Sequence, residues 1–171
     1  MTDLLTYVRS WFEWVEAFPS SEAIRASTHF YPFLLTTHIV GMSLFAGLLI
    51  MMDLRLLGIG NMKTPLSQVQ KRLFPWQMLG MTLSFSTGLL LVYGQPMRFY
   101  GNIFFWVKTV MMLMAAVNAM AFHRISYRTV DTWDAQGVTP LGARLAGALG
   151  LALWVGVVLS GRLIAYSWFS N

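Results

Sequence analysis

Three ionisable side chains stand inside otherwise apolar stretches of this sequence: His38, Lys108 and Arg162. His38 lies in HFYPFLLTTHIVGMSLFAGLLIMMDLRLLG, His29–Gly58, which carries no formal charge between Phe30 and Met52. That run crosses a bilayer, for which about 20 residues suffice at roughly 1.5 Å each. An imidazole at such depth costs free energy unless something uses it. Counted along helices, His38 sits about 15 Å in from the outer end of its span, and Lys108 and Arg162 about 9 Å in from theirs. No carboxylate lies in any span to neutralise the two cations. A bound anion is their natural partner, and the propionates of an imidazole-ligated haem b fit that need. In this reading His38 is the axial ligand, and Lys108 and Arg162 hold propionates. Gly41, on the same helical face as His38, leaves room for the ring. The plainer alternatives are a His38 hydrogen-bonded to a neighbouring helix and long cations that snorkel to the headgroups.

The second axial position has several candidates. His123 closes the third span at the opposite end, some 15 Å from the depth of His38. Met111, Met112 and Met114 match that depth, and Met ligates haem iron. A five-coordinate iron is the remaining option. His29, at the rim of the same helix, cannot share an iron with His38. Around His123 the sequence gathers Asp53, Arg55 and Arg124, either as a rim ion network or as a second haem site. The chain's twelve Met also raise a copper site built from His38, Met42 and the Met111, Met112 and Met114 cluster, since thioether and imidazole suit Cu(I). Met is equally a filler of apolar cores. No phosphate loop, zinc spacing, dinucleotide fingerprint or hydrolytic triad is present.

These residues require helices to carry them. Of 171 residues 56% are hydrophobic and 11% charged, against about 25% charged in soluble domains, and the mean hydropathy is +0.57. The chain reads as all-α: an integral membrane four-helix bundle preceded by an amphipathic helix. Residues 1–27 form that helix, with Leu4, Tyr7, Val8, Trp11, Trp14, Val15 and Phe18 at helical spacing, lying in the membrane interface and stopped near Pro19. The alternative places it over the bundle mouth. Residues 28–171 supply spans at about 28–52, 74–94, 102–123 and 145–168. Pro75 starts the second, and Gly147, Ala148, Gly150, Ala152 and Gly156 line the fourth for close helix packing.

Lacking Cys, the chain has no disulfide, thiolate metal site or covalent haem attachment. Its net charge of +5 sits beside apolar runs, which points to the lipid bilayer and not to nucleic acid. Seven basic residues (Arg55, Lys63, Lys71, Arg72, Arg124, Arg128, Arg144) flank one side of the spans and three (Arg9, Arg25, Arg98) the other. The richer side is therefore cytoplasmic, and both termini face the periplasm of a bacterial inner membrane.

The segments HIVG, DLRLLG, NIFFWVK and AAVNAMAFHR over residues 28–125 resemble a group of small four-helix bacterial membrane proteins, relatives of the copper-resistance protein D (CopD) membrane domain and the HemJ-type protoporphyrinogen oxidases. The HemJ resemblance implies haem b on a first-span His, matched by His38, and a required Lys after an aromatic in the third span, matched by Lys108. The CopD resemblance implies copper permeation. Three functions follow as expectations: a b-type haem protein passing electrons to a protein or quinone partner, a copper permease, or a non-catalytic subunit of a homo-oligomer or larger membrane complex.

Overall fold

In the computed structural model, which describes residues 2–60, 64–134 and 138–166, the described chain is all helical. The helices are α1 (Thr2–Glu16), α2 (Pro19–Ala26), α3 (Phe30–Leu56), α4 (Leu66–Gly94), α5 (Pro96–Tyr100), α6 (Ile103–Ile125), α7 (Val130–Asp134) and α8 (Leu141–Leu163), with a 3-10 turn at Tyr127–Thr129 before α7. Lys63, counted above among the basic residues, and Trp168, at the end of the fourth expected span, lie outside the described residues.

Among the described residues three helices are long and apolar enough to cross a membrane: α3, α6 with its 3-10 extension, and α8. At 29 residues α4 has the length, but Gln68, Gln70, Lys71, Arg72 and Gln77 dilute its apolar character. Its start also differs from expectation. Pro75 lies inside the helix, and Pro65 is the N-cap. The polar residues between them are helical because a distant carboxylate holds the first turn. Asp134 accepts from Leu66 N at 2.8 Å and from Ser67 N at 3.1 Å, satisfying amides that a helix start leaves without partners. The sequence around Pro65 carries no such carboxylate, so local reading could not find this cap.

The long helices pack in the order α4, α3, α8, α6, with α3 against both α4 and α8, and α8 against α6. Glycine sets the closest approach. A Cβ on Gly41 would stand 2.9 Å from Leu83 Cβ and from Ser84 N, and one on Gly80 would stand 2.8 Å from Phe45 N. On the other side of α3, Gly147 faces the Asp53 carbonyl at 2.8 Å by the same measure. By contrast, α4 and α6 are not packed along one another, so one long side of the bundle is not sealed by helix contact.

Both ends are closed. At one end Met52, Leu56, Leu66, Val130, Trp133 and Ala143 form a buried cluster that joins α3, α4, α7 and α8; this is called the loop end below. At the other, the terminal end, the single helix expected over 1–27 is two helices, Thr2–Glu16 and Pro19–Ala26. The break falls at Ala17 and Phe18, because Pro19 starts α2 afresh. Helix α2 is pinned to α4 by Ser21 Oγ donating to the Tyr93 carbonyl at 2.7 Å. Helix α1 packs on α5. Phe12 is buried, with its ring 5.3 Å from Tyr100 and 6.3 Å from Trp106. Tyr7, Trp11 and Trp14 stay exposed. Helix α1 therefore has one face on the protein mouth and an aromatic face turned outward.

Candidate functional site

His38 is carried on α3 nine residues after His29, the helix N-cap, and points between α4 and α6. Its Nδ1 lies 2.9 Å from the Ser84 carbonyl and 3.3 Å from Thr87 Oγ1. A carbonyl only accepts, so Nδ1 carries the proton and Nε2 the lone pair. Thr87 Oγ1 itself donates to the Leu83 carbonyl, which leaves it an acceptor toward the ring. The backbone of α4 therefore fixes both the orientation and the tautomer of the imidazole, as carbonyl partners do for metal-bound histidines.

Glycine makes the room. A Cβ on Gly88 would come 3.0 Å from His38 Cε1 and 3.3 Å from Nδ1. Ser84, Thr87 and Gly88 lie on one face of α4 at spacings of three and four residues. That periodicity is visible in the sequence. What it cannot show is that the face meets His38 and not a different helix.

The lone pair of Nε2 meets Lys108. The Lys108 Nζ to His38 Nε2 separation is 3.5 Å, and with the tautomer above the ammonium donates and the ring accepts. Lys108 rises from α6 and passes over Gly161 of α8, where a Cβ would lie 3.6 Å from Nζ. Both side chains are half-buried. Among the described residues the ion pairs are Arg9 with Glu13 and Glu16 with Arg25, so no carboxylate serves Lys108. His38 of α3 and Lys108 of α6 thus meet, with α4 holding the ring from behind at Nδ1 and Gly161 of α8 beside the lysine.

The other sequence candidates do not join this cluster. Gly41 is buried at the α3–α4 crossing, where it lets backbones touch and leaves no space for a ring. Arg162 is exposed at the end of α8 and turned to Tyr166, its NH2 3.3 Å from the hydroxyl and its guanidinium carbon 5.4 Å from the ring centroid. It reaches the rim because an arginine in the last turn of a helix can extend its apolar stem to the polar boundary. Met111 Sδ packs on Gly156, where a Cβ would lie 2.6 Å away. Met112 and Met114 are exposed on the outer face of α6. Met42 Sδ accepts from Ser84 Oγ at 3.3 Å. His123 stacks on Tyr127 with centroids 4.6 Å apart and planes at 14°. It lies about 22 Å along α6 from Lys108, so His38 and His123 cannot share an iron.

At the loop end, among the described residues, Asp53 makes no ion pair with Arg55 or Arg124. Asp53 points at α8, its carboxylate oxygens 2.6 and 2.7 Å from where a Gly150 Cβ would be, and its Oδ2 is buried with no hydrogen bond. Arg55 donates instead to the Thr64 carbonyl at 2.7 Å. No group of three or more His, Cys, Asp or Glu that could hold a metal occurs among the described residues.

Residues 11–167 match the family described as Family of unknown function (DUF6644). The chain belongs to this family. No curated protein and no solved structure matches it. The family description carries no chemistry, so the reading of the site rests on its geometry.

Proposed function

We propose that this chain is a b-type haem protein of the bacterial inner membrane that passes single electrons, with His38 as an axial ligand. The observation that carries the reading is the imidazole held by the Ser84 carbonyl through Nδ1, so that Nε2 presents its lone pair to the side of the bundle where α4 and α6 are not packed together. Gly88 accommodates the ring, and Lys108 guards the lone pair. Haem, when bound, supplies one-electron chemistry that no side chain of this Cys-free protein offers. For a porphyrin to enter, Lys108 must draw off Nε2 and the side chains packed around the His38 ring must move apart.

The same proposal counts α4 as a fourth span and puts the loop end in the cytoplasm, following the basic residues. The resemblance to HemJ-type proteins supports a haem on His38 and a need for Lys108. A copper permease draws less support, because Met112 is exposed and the Met42 sulfur already accepts from Ser84. Of the small residues on α8, Gly147 and Gly150 lie against Asp53 and Gly156 against Met111, so these three glycines are used within the chain, while Ala148 and Ala152 stay exposed.

The test is a visible spectrum of the purified full chain, as isolated and after titration with haemin. A Soret band that sharpens into α and β bands on reduction supports the assignment. Copper bound in its place, or neither signal, overturns it.

A further inference from the structure

We propose that α1 is seated in the headgroup layer of the membrane at the terminal end, with Tyr7, Trp11 and Trp14 turned into lipid. At 100° per residue these three positions fall within one sector of about 60°. Their spacing of four and three residues makes a single stripe, and the side chains are 76%, 51% and 61% exposed. Phe18 extends the stripe, its ring edge-on to Trp14 with centroids 4.7 Å apart. Beside it runs a second stripe, Phe12 and Val15, which is buried against the protein. The third face carries Arg9 and Glu13, about 160–200° around the helix from Trp11, exposed and paired with each other at 2.8 Å. One helix thus has a protein face, an aromatic face and a charged face.

The packing sets the height of this helix. The Phe12 ring lies 6.3 Å from that of Trp106. Trp106 is the fourth residue of α6, about 5 Å along a helix that is apolar enough to cross the bilayer. Helix α1 is therefore level with the first turn of a span, where hydrocarbon gives way to headgroups. Phe30 and Phe33, at the start of α3, are exposed at the same end, so the aromatic face of α1 continues an apolar surface that the spans already present. Tyrosine and tryptophan suit that layer, because each has an apolar body and one polar edge. Charge does not do the seating. Arg9 is paired with Glu13 and Arg25 with Glu16, and α1 and α2 carry Asp3, Glu13, Glu16 and Glu22 against those two arginines. Burial of rings, and not attraction to anionic lipid, supplies the affinity. This seating does not depend on whether His38 binds haem.

Because the chain has no Cys, a spin label can be placed at one position at a time. Tyr7→Cys, Trp11→Cys, Trp14→Cys, Arg9→Cys and Glu13→Cys variants of the full chain are labelled with a nitroxide and reconstituted into phosphatidylcholine vesicles. Electron paramagnetic resonance then reads collisions of each label with oxygen, which concentrates in lipid, and with a nickel chelate, which stays in water. The oxygen-to-nickel ratio is expected to be several-fold higher at positions 7, 11 and 14 than at 9 and 13, and to stay the same when phosphatidylglycerol is added. Equal ratios on the two faces overturn the proposal, as for a helix standing clear in water. Labels at 11 and 14 shielded from both reagents overturn it in favour of a protein partner or a second copy. A ratio that rises only with phosphatidylglycerol overturns it in favour of electrostatic attachment. If a Trp→Cys variant fails to reconstitute, tryptophan quenching by lipid brominated near the headgroup is compared among the native chain, Trp11→Phe and Trp14→Phe. Quenching that drops with either ring supports the seating, and quenching unchanged by both overturns it.

Discussion

The two halves of the bundle hold similar ionisable residues and use them in opposite ways. In the half nearer the termini, one histidine and one lysine from separate helices come within 3.5 Å of each other, and a backbone carbonyl sets the ring's tautomer. In the half nearer the loops, the charged and titratable groups disperse. Asp134 holds the start of α4, Arg55 holds the Thr64 carbonyl, and Asp53 lies against α8. His123 leans on Tyr127 in the open. Two basic side chains that meet from separate helices mark chemistry, whereas charged groups that hold backbone or stand apart from one another mark architecture.

The sharpest way to break this contrast is to remove each histidine in turn. His38→Ala should abolish haem uptake in a haemin titration, while His123→Ala should leave it intact; equal loss from both would erase the difference between the halves. Next in size, Gly80→Val should disrupt the α3–α4 crossing on which the site is built. Its branched side chain meets backbone at a position where a Cβ alone stands 2.8 Å from Phe45 N. Overpacking of that kind costs about 1–3 kcal/mol, to be read as a lower unfolding temperature in detergent. Gly88→Ala crowds the His38 ring directly, with a predicted fall in haem affinity of about tenfold, in the range found when groups that orient a metal ligand are changed. Asp134→Ala should cost about 0.5–2 kcal/mol, as for other lost helix caps, with the haem spectrum unchanged. Smallest of all, His123→Ala should move stability by no more than about 0.5 kcal/mol, as surface changes do.

Much of the scaffold was legible in the residues. The apolar runs located α3, α6 and α8 to within a few positions, because unbroken hydropathy of that length has few other uses. His38 and Lys108 stood out because an ionisable side chain in such a run is costly. The start of α4 was not legible, since its cap comes from Asp134, far along the chain. Likewise Gly41 and Gly88 look alike in sequence. Only the crossing of α3 and α4 shows that one brings backbones together and the other makes space for an imidazole. Arg162 and Lys108 sit at matching depth by counting, yet their directions around their helices differ, and depth alone does not encode direction.

The unsealed face between α4 and α6 has a further consequence. Helix α5 laces these two together at one end through residues 96–100, and the Asp134 clasp with its apolar cluster laces them at the other. A slit stitched at both ends opens only sideways. In a membrane, sideways means into the acyl chains. On the proposed function, haem bound for His38 would travel by way of lipid, and its solubility in oil, more than its concentration in water, would govern how fast it arrives.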